Sequence, residues 1–335
     1  MPTTMAAEWA PHTRTWMAFP TTTYGSAITV EAAQAAWTEV AAAISDFEPV
    51  TMVVDPRHLA AAERLLPAAV AVVTAELDDA WARDTGPTFV SDAQGQQVAL
   101  DWRFNGWGAQ GWAQSGADDA LARQIADVAQ VPAQRVELVN EGGGIEVDGS
   151  GRLVLTETVQ LDPGRNPGRS RGEVEAIFAE VLGIDDVLWL PRGLTGDYAE
   201  FGTRGHVDLC LKFSGPSRAL LHRQANPTHP DFAVSEQLRA SAEAAGIEVT
   251  ELVAPARLEV EGRLCDYSYV NCYVCNGAVI VGTYDDPADE AALATIAAAF
   301  PGRAVVPVDA RVLFALGGGV HCITQQQPAG GGPHA

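Results

Sequence analysis

The chain has 335 residues, with 21 Lys and Arg against 43 Asp and Glu, a formal net charge of −22, and 47% of it is hydrophobic. That balance is globular rather than disordered. Such acidity argues against a nucleic-acid backbone or an anionic membrane surface as partner, since both require positive potential; it leaves room for a cationic partner without requiring one.

In chain order, Met1–Trp9 lacks the basic start and apolar run of a secretory leader, so the expected compartment is the cytoplasm. Five cysteines, an odd number, fit a reducing compartment, where a thiol is packing material or a reactive group. No stretch approaches the ~18 consecutive apolar residues of a membrane span. Amphipathic periodicity predicts helices over Val30–Phe47, Pro56–Leu66, Ala117–Val128, Arg171–Leu182, Ala233–Ala245 and Ala288–Phe300. Gly183 and Gly246 stand where a helix C-terminus favours glycine. Short β-branched runs alternate with these helices: Val50–Val54, Val70–Val73, Val136–Val139, Val187–Leu190 and Ala304–Val308. The alternation predicts α/β architecture. With no low-complexity linker inside it, the chain is expected to form one catalytic domain over 1–329, with 330–335 as a disordered tail.

Five further segments read as hairpins: Asp84–Asp101, Glu141–Thr156, Gly205–His222, Ser268–Gly282 and one beginning at Gly317. Each opens on a chemically capable residue: Asp84, Glu141, His206 with Asp208, Asn271, and Cys322. Their separations of 51 to 65 residues suggest five copies of one supersecondary unit around an axis, with strand starts converging on a central cleft.

Cys322 follows Gly317-Gly318-Gly319-Val320-His321. Such a glycine run permits close backbone approach to a ligand, and N–H groups there, including that of Gly319, could support a thiolate or an oxyanion. Cys322 is therefore the candidate nucleophile. Cys210, Cys265, Cys272 and Cys275 lie in β-type runs and read as core. Cys272 and Cys275 form a CxxC, but i and i+3 point to opposite faces of a strand, which argues against a zinc site. His206 and Asp208, at i and i+2, are expected on one strand face. They could be two metal ligands, a reading with no further suitably spaced ligands, or an acid/base beside a charge clamp. Asp84 and Glu141 singly read as turn residues; with Asp208 they make an acidic pocket facing Cys322, which suits a cationic substrate. Arg83 reads as a structural ion-pair partner.

Several segments then fall into one family's order: Glu8–Pro20, WARDTGPTFV (Trp81–Val90), RFNGWG (Arg103–Gly108), EGGGIEVDG (Glu141–Gly149), RNPGRS (Arg165–Ser170), WLPRGLTGD (Trp189–Asp197), GHVD (Gly205–Asp208), SYVNCYVCNGAVIV (Ser268–Val281) and GGGVHCITQQQP (Gly317–Pro328). The sequence resembles the agmatine deiminases, guanidino-modifying members of the pentein superfamily. The resemblance implies a five-fold pseudosymmetric α/β propeller, the pentein fold. It also implies hydrolysis of agmatine, a small cationic guanidino substrate, to N-carbamoylputrescine and ammonia through a covalent Cys322 thiouronium, with no metal or organic cofactor. By motif it makes His206 the general acid/base and Asp84, Glu141 and Asp208 the guanidinium-binding carboxylates. Trp81 becomes a channel wall, Gly319 part of the substrate cradle and Asn271 a support for the cysteine loop. A homodimer is implied by the resemblance alone. The departures are a longer Asp197–Arg204 stretch, Leu209 in place of Asn, and Phe19 in place of Trp. The alternatives are deimination of arginine or peptidyl-arginine, for whose carboxylate or backbone only Lys212, Arg103 and Arg204 could be nominated, an amidinotransferase, and an inactive polycation-binding protein.

Overall fold

The computed structural model describes residues 3–24, 26–256, 259–260, 263–265 and 267–330. Residues 331–335 of the expected tail lie outside the described residues.

One pattern recurs around the molecule: an antiparallel strand pair, a crossover helix, and a third strand parallel to the second. In the first unit Thr88–Ser91 pairs with Gln97–Arg103, helix Leu121–Ala129 crosses over, and Ala133–Val139 adds in parallel. The second unit uses Ile145–Val147, Arg152–Thr156, helix Arg171–Leu182 and Asp186–Leu190. The third uses Leu211–Gly215, Arg218–Arg223, helix Asp231–Ala244 and Glu248–Val253. In the fourth, Tyr273–Cys275, Ala278–Thr283, helix Asp289–Ala299 and Ala304–Asp309 repeat the scheme. Five sheets built this way give the expected five-fold α/β propeller.

The fifth unit departs from the expected local hairpin. Gln325–Pro328 pairs antiparallel with His12–Ala18 from the other end of the chain, in the register Trp16 to Gln325 and His12 to Pro328. Helix Val30–Ser45 then leads to the parallel strand Val50–Val54, and Val70–Thr74 adds a fourth strand. A strand pair assembled from both chain ends has no turn between its strands, so no local turn signal could announce it. The pairing covers strand edges that would otherwise remain open.

The local chemistry explains the element boundaries. Ser170 caps helix Arg171–Leu182 in a reciprocal capping box with Glu173, and Gly183 ends it at φ 72°, a left-handed conformation that L side chains resist. Strands such as Val50–Val54 and Ala278–Val281 are buried along their length, because helices cover one face and neighbouring units the other. Among the described residues no helix is long and apolar enough to cross a membrane.

Each unit enters its first strand through a tight turn, and these turns carry the candidate residues. Asp84 lies in the one-turn helix Ala82–Thr85, Glu141 precedes the 3₁₀ turn Gly142–Gly144, and His206 precedes the 3₁₀ turn Val207–Leu209 that contains Asp208. Asn271 and Cys322 sit in turns before Tyr273 and Gln325. The expectation that His206 and Asp208 share a strand face is thereby corrected. The strand begins only at Leu211, and a 3₁₀ turn rather than strand pleating sets their relation.

Candidate active site

All of the turns carrying these residues face one another. Cys322, His206, Asp208, Glu141, Asp84 and Asn271 are buried, Cys322 being 6% exposed. Asn271 Nδ2 donates to Cys322 Sγ at 3.3 Å, and the thiol lies 3.5 Å from Asp208 Oδ2. His206 Nε2 is 3.2 Å from Glu141 Oε2, while its Nδ1 is 3.8 Å from Asp84 Oδ1.

The convergence is sharpest over Gly143. A methyl group placed there would lie 2.6 Å from His206 Nδ1 and 3.0 Å from both Asp208 Oδ2 and Asp84 Oδ1. Among the described residues, His206 Nδ1 and Asp208 Oδ1 are buried without a hydrogen-bond partner. Buried polar atoms left unpaired cost roughly 1–3 kcal/mol each. His206 Nδ1, unpaired at the convergence over Gly143, marks a place built to receive a polar group.

The carboxylates are not equivalent. Arg165 Nε donates to both oxygens of Glu141 at 3.0 Å, and His206 takes the remaining direction. Burial alone would raise the Glu141 carboxyl, but Arg165 and His206 outweigh it and hold it down at about 2. Asp84 accepts from Gly143 N–H at 3.0 Å and from the Trp107 indole at 2.9 Å. Burial lifts Asp84 to about 6; the His206 charge opposes the rise, and the Asp208 and Glu141 charges add to it. Burial also works against a charged His206, but Asp84, Glu141 and Asp208 outweigh it and raise the imidazole to about 9. The Cys322 thiol is pushed far up by burial and by Asp208 and Asp84, against weaker help from the Gly319 N–H and Asn271. The free site therefore presents a thiol, an imidazolium and ionised carboxylates.

The structure brings the other anticipated residues to the same place. A methyl group on Gly318 would strike the Trp81 ring at 2.6 Å, so Trp81 lies against the cysteine loop. One on Gly319 would strike Asn271 Oδ1, so this glycine lets Asn271 reach under the loop. Arg83 is indeed a structural partner: it donates to Gln326 at 2.7 Å and pairs with Glu8 at 3.4 Å. Cys210, Cys272 and Cys275 are buried, and burial raises the latter two thiols to about 12.

Several contributors carried no role in the sequence reading. Arg165 and Trp107 lie in RNPGRS and RFNGWG, segments that matched the family without suggesting a task. From Trp107 an aromatic shell runs outward, with Trp112 stacked at 5.3 Å and Phe201 and Tyr24 beyond it. Trp107, Phe201 and Tyr24 all have φ between 54° and 69°, an uncommon conformation for bulky residues. Arg204 pairs with Asp162 at 3.1 Å and Arg103 with Glu137 at 3.5 Å. Lys212 is buried against Glu8 at 2.9 Å.

Known proteins resemble this chain over nearly its whole length. A family model described as Porphyromonas-type peptidyl-arginine deiminase matches residues 4–328. A Streptomyces coelicolor protein provisionally named an agmatine deiminase is 52% identical, over 97% of this chain and 98% of its own. The agmatine deiminase of Ectopseudomonas mendocina is 38% identical, over 97% and 95% respectively. The solved agmatine deiminase of Enterococcus faecalis matches with a TM-score of 0.90 at 30% identity, over 97% of this chain and 96% of that one.

Proposed function

The chain belongs to the agmatine deiminase family of pentein enzymes, and from that premise we propose that it hydrolyses agmatine to N-carbamoylputrescine and ammonia. The observation that carries this reading is the convergence of His206 Nδ1, Asp208 and Asp84 over Gly143, with the Cys322 sulfur 3.5 Å from Asp208.

A guanidinium stays protonated at any working pH and resonance makes its carbon a poor electrophile, so it must be held flat against a strong nucleophile. Asp84 and Asp208 supply acceptors for its N–H groups, each charge-assisted bond adding ~1.5–3 kcal/mol. Glu141, occupied by Arg165 and His206, has the different task of keeping His206 charged and oriented. The guanidinium brings the positive charge that the Cys322 environment lacks, so binding lowers the thiol pKa and its proton leaves to solvent. The thiolate adds to the guanidinium carbon, and His206 protonates the departing nitrogen, which leaves as ammonia. Neutral His206 then takes a proton from water as it adds to the thiouronium. Collapse expels the Cys322 sulfur, which takes up the hydroxyl proton of the adduct, so that the ureido product leaves and the thiol is restored. Trp81 and the aromatic shell of Trp107, Trp112, Phe201 and Tyr24 accept the methylene chain.

The description of the matching family model raises arginine or peptidyl-arginine as the substrate. Arg103 and Arg204, the arginines available for a carboxylate, are turned to Glu137 and Asp162, which favours a substrate lacking that group. Ammonia release tests this directly. kcat/KM for agmatine should exceed that for arginine, and Cys322→Ala should lower turnover at least about a thousandfold while agmatine still binds. Equal preference for arginine, or undiminished activity without the thiol, overturns the reading.

A further inference from the structure

Behind Asp208 lies a line of charged groups that the chemistry above leaves unused. His321, next to the nucleophile in sequence, points away from it: its Nδ1 is 2.8 Å from Asp208 Oδ2, and its Nε2 is 2.7 Å from Glu8 Oε2. Glu8 Oε1 in turn accepts from Lys212 Nζ at 2.9 Å and from the Val274 N–H at 2.8 Å. Arg83 approaches the Glu8 Oε2 side at 3.4 Å, and Glu146 lies 3.9 Å from Lys212. All these side chains are buried.

Each nitrogen of the His321 ring faces a carboxylate oxygen, so each contact needs a hydrogen. Asp208 and Glu8 are both held below the ordinary carboxylate range, burial being outweighed by His321 in the first case and by Lys212 and His321 in the second. The ring thus bridges the two carboxylates, one nitrogen to each. Asp208 Oδ2 is thereby taken up by His321 and Cys322, while Oδ1 has no hydrogen-bond partner among the described residues. The His321 backbone is fixed separately, its N–H donating to Asn271 Oδ1 at 3.0 Å.

Building on the guanidine-hydrolase reading, we propose that His321 is a positioning residue: backed by Glu8 and Lys212, it holds Asp208 through Oδ2, the oxygen that also borders the pocket over Gly143, and so fixes this carboxylate against the substrate guanidinium. The clamp acts on the bound substrate and the transition state alike, so its loss appears in KM more than in kcat.

Two substitutions separate clamping from packing. In His321→Asn the amide nitrogen takes the place of Nδ1 and keeps the donor to Asp208. In His321→Gln it takes the place of Nε2 and keeps only the donor to Glu8. The expected result is a KM raised roughly ten- to hundredfold in His321→Gln, the effect of one lost charge-assisted hydrogen bond, with kcat changed far less and much of the loss restored in His321→Asn. Equal losses in the two variants, or a loss confined to kcat, overturn the proposal. Should neither variant fold, Glu8→Gln takes over the test: a raised KM with kcat held supports the clamp, and an unchanged KM overturns it. Turnover of agmatine by the unsubstituted enzyme is measured first, since its absence counts against the substrate reading, whereas the Asn/Gln contrast on any guanidine that is turned over counts for or against the clamp.

Discussion

Five ionisable side chains, Asp84, Glu141, His206, Asp208 and Cys322, share one buried pocket, and their mutual fields set when it can work. Asp84 titrates at about 6 and His206 at about 9, whereas Glu141 stays ionised from about 2 upward. The free-enzyme profile of kcat/KM should therefore be bell-shaped. It rises near pH 6 as Asp84 ionises and becomes able to accept guanidinium hydrogens. It falls near pH 9 as His206 loses the proton it must give to the leaving nitrogen. Agmatine itself keeps its guanidinium charge across this window, so both limbs belong to the protein. A pH series of kcat/KM checks the claim, and Asp84→Asn, which holds this position neutral at every pH, should leave kcat/KM low across the whole range. A flat profile between pH 5 and 10 would mean that these two groups do not govern turnover. The same fields keep Cys322 protonated in the free enzyme, which fits a nucleophile switched on by its own cationic substrate.

The tight turn before each first strand is the element that carries the candidate residues, and Gly143 shows how little space it leaves. Its φ is not in the left-handed region, so alanine there is compatible with the backbone, yet the added methyl would meet His206, Asp208 and Asp84 at 2.6–3.0 Å. Gly143→Ala should lower kcat/KM by roughly a hundredfold, as expected for an ångström-scale displacement of reacting groups. Circular dichroism and the melting temperature should remain near those of the parent; a fully active Gly143→Ala enzyme would show that the pocket lies elsewhere. The sequence made these turns legible because a polar residue beside glycines, recurring at 51 to 65 residues, is a local and periodic sign. Helix Arg171–Leu182 and strand Val50–Val54 matched their expected limits for a similar reason, one bounded by a capping box and a glycine, the other a pure β-branched run. Arg165 and Trp107 received no role, and His321 counted only as a neighbour of Cys322, because their significance lies in partners 24, 23 and 113 residues away. A sequence read without those distances gives them no role.

At the scale of the whole molecule, the N-terminal segment does what no single unit can. Thr4 bridges to Ser91, Met5 N–H donates to the Leu182 carbonyl, and His12–Ala18 completes the fifth sheet. Glu8 sits between the units, binding Lys212 of the third, Val274 of the fourth, Arg83 ahead of the first, and His321 ahead of the fifth. Removing that carboxylate strands a lysine with 0% side-chain exposure, whose other acidic partner, Glu146, is 3.9 Å away. Breaking one side of a buried ion pair costs about 3–5 kcal/mol because the remaining charge keeps its desolvation penalty, whereas replacing both partners by apolar groups is often close to neutral. Glu8→Ala should thus lower unfolding stability by that amount in urea titrations, with the denaturant slope unchanged. Adding Lys212→Met should recover a substantial part of it, since the stranded charge is then gone. If the double variant is no more stable than Glu8→Ala, the loss comes from Glu8's bonds to Val274, Arg83 and His321 rather than from the buried lysine, and the N-terminal segment holds the ring by hydrogen bonding alone.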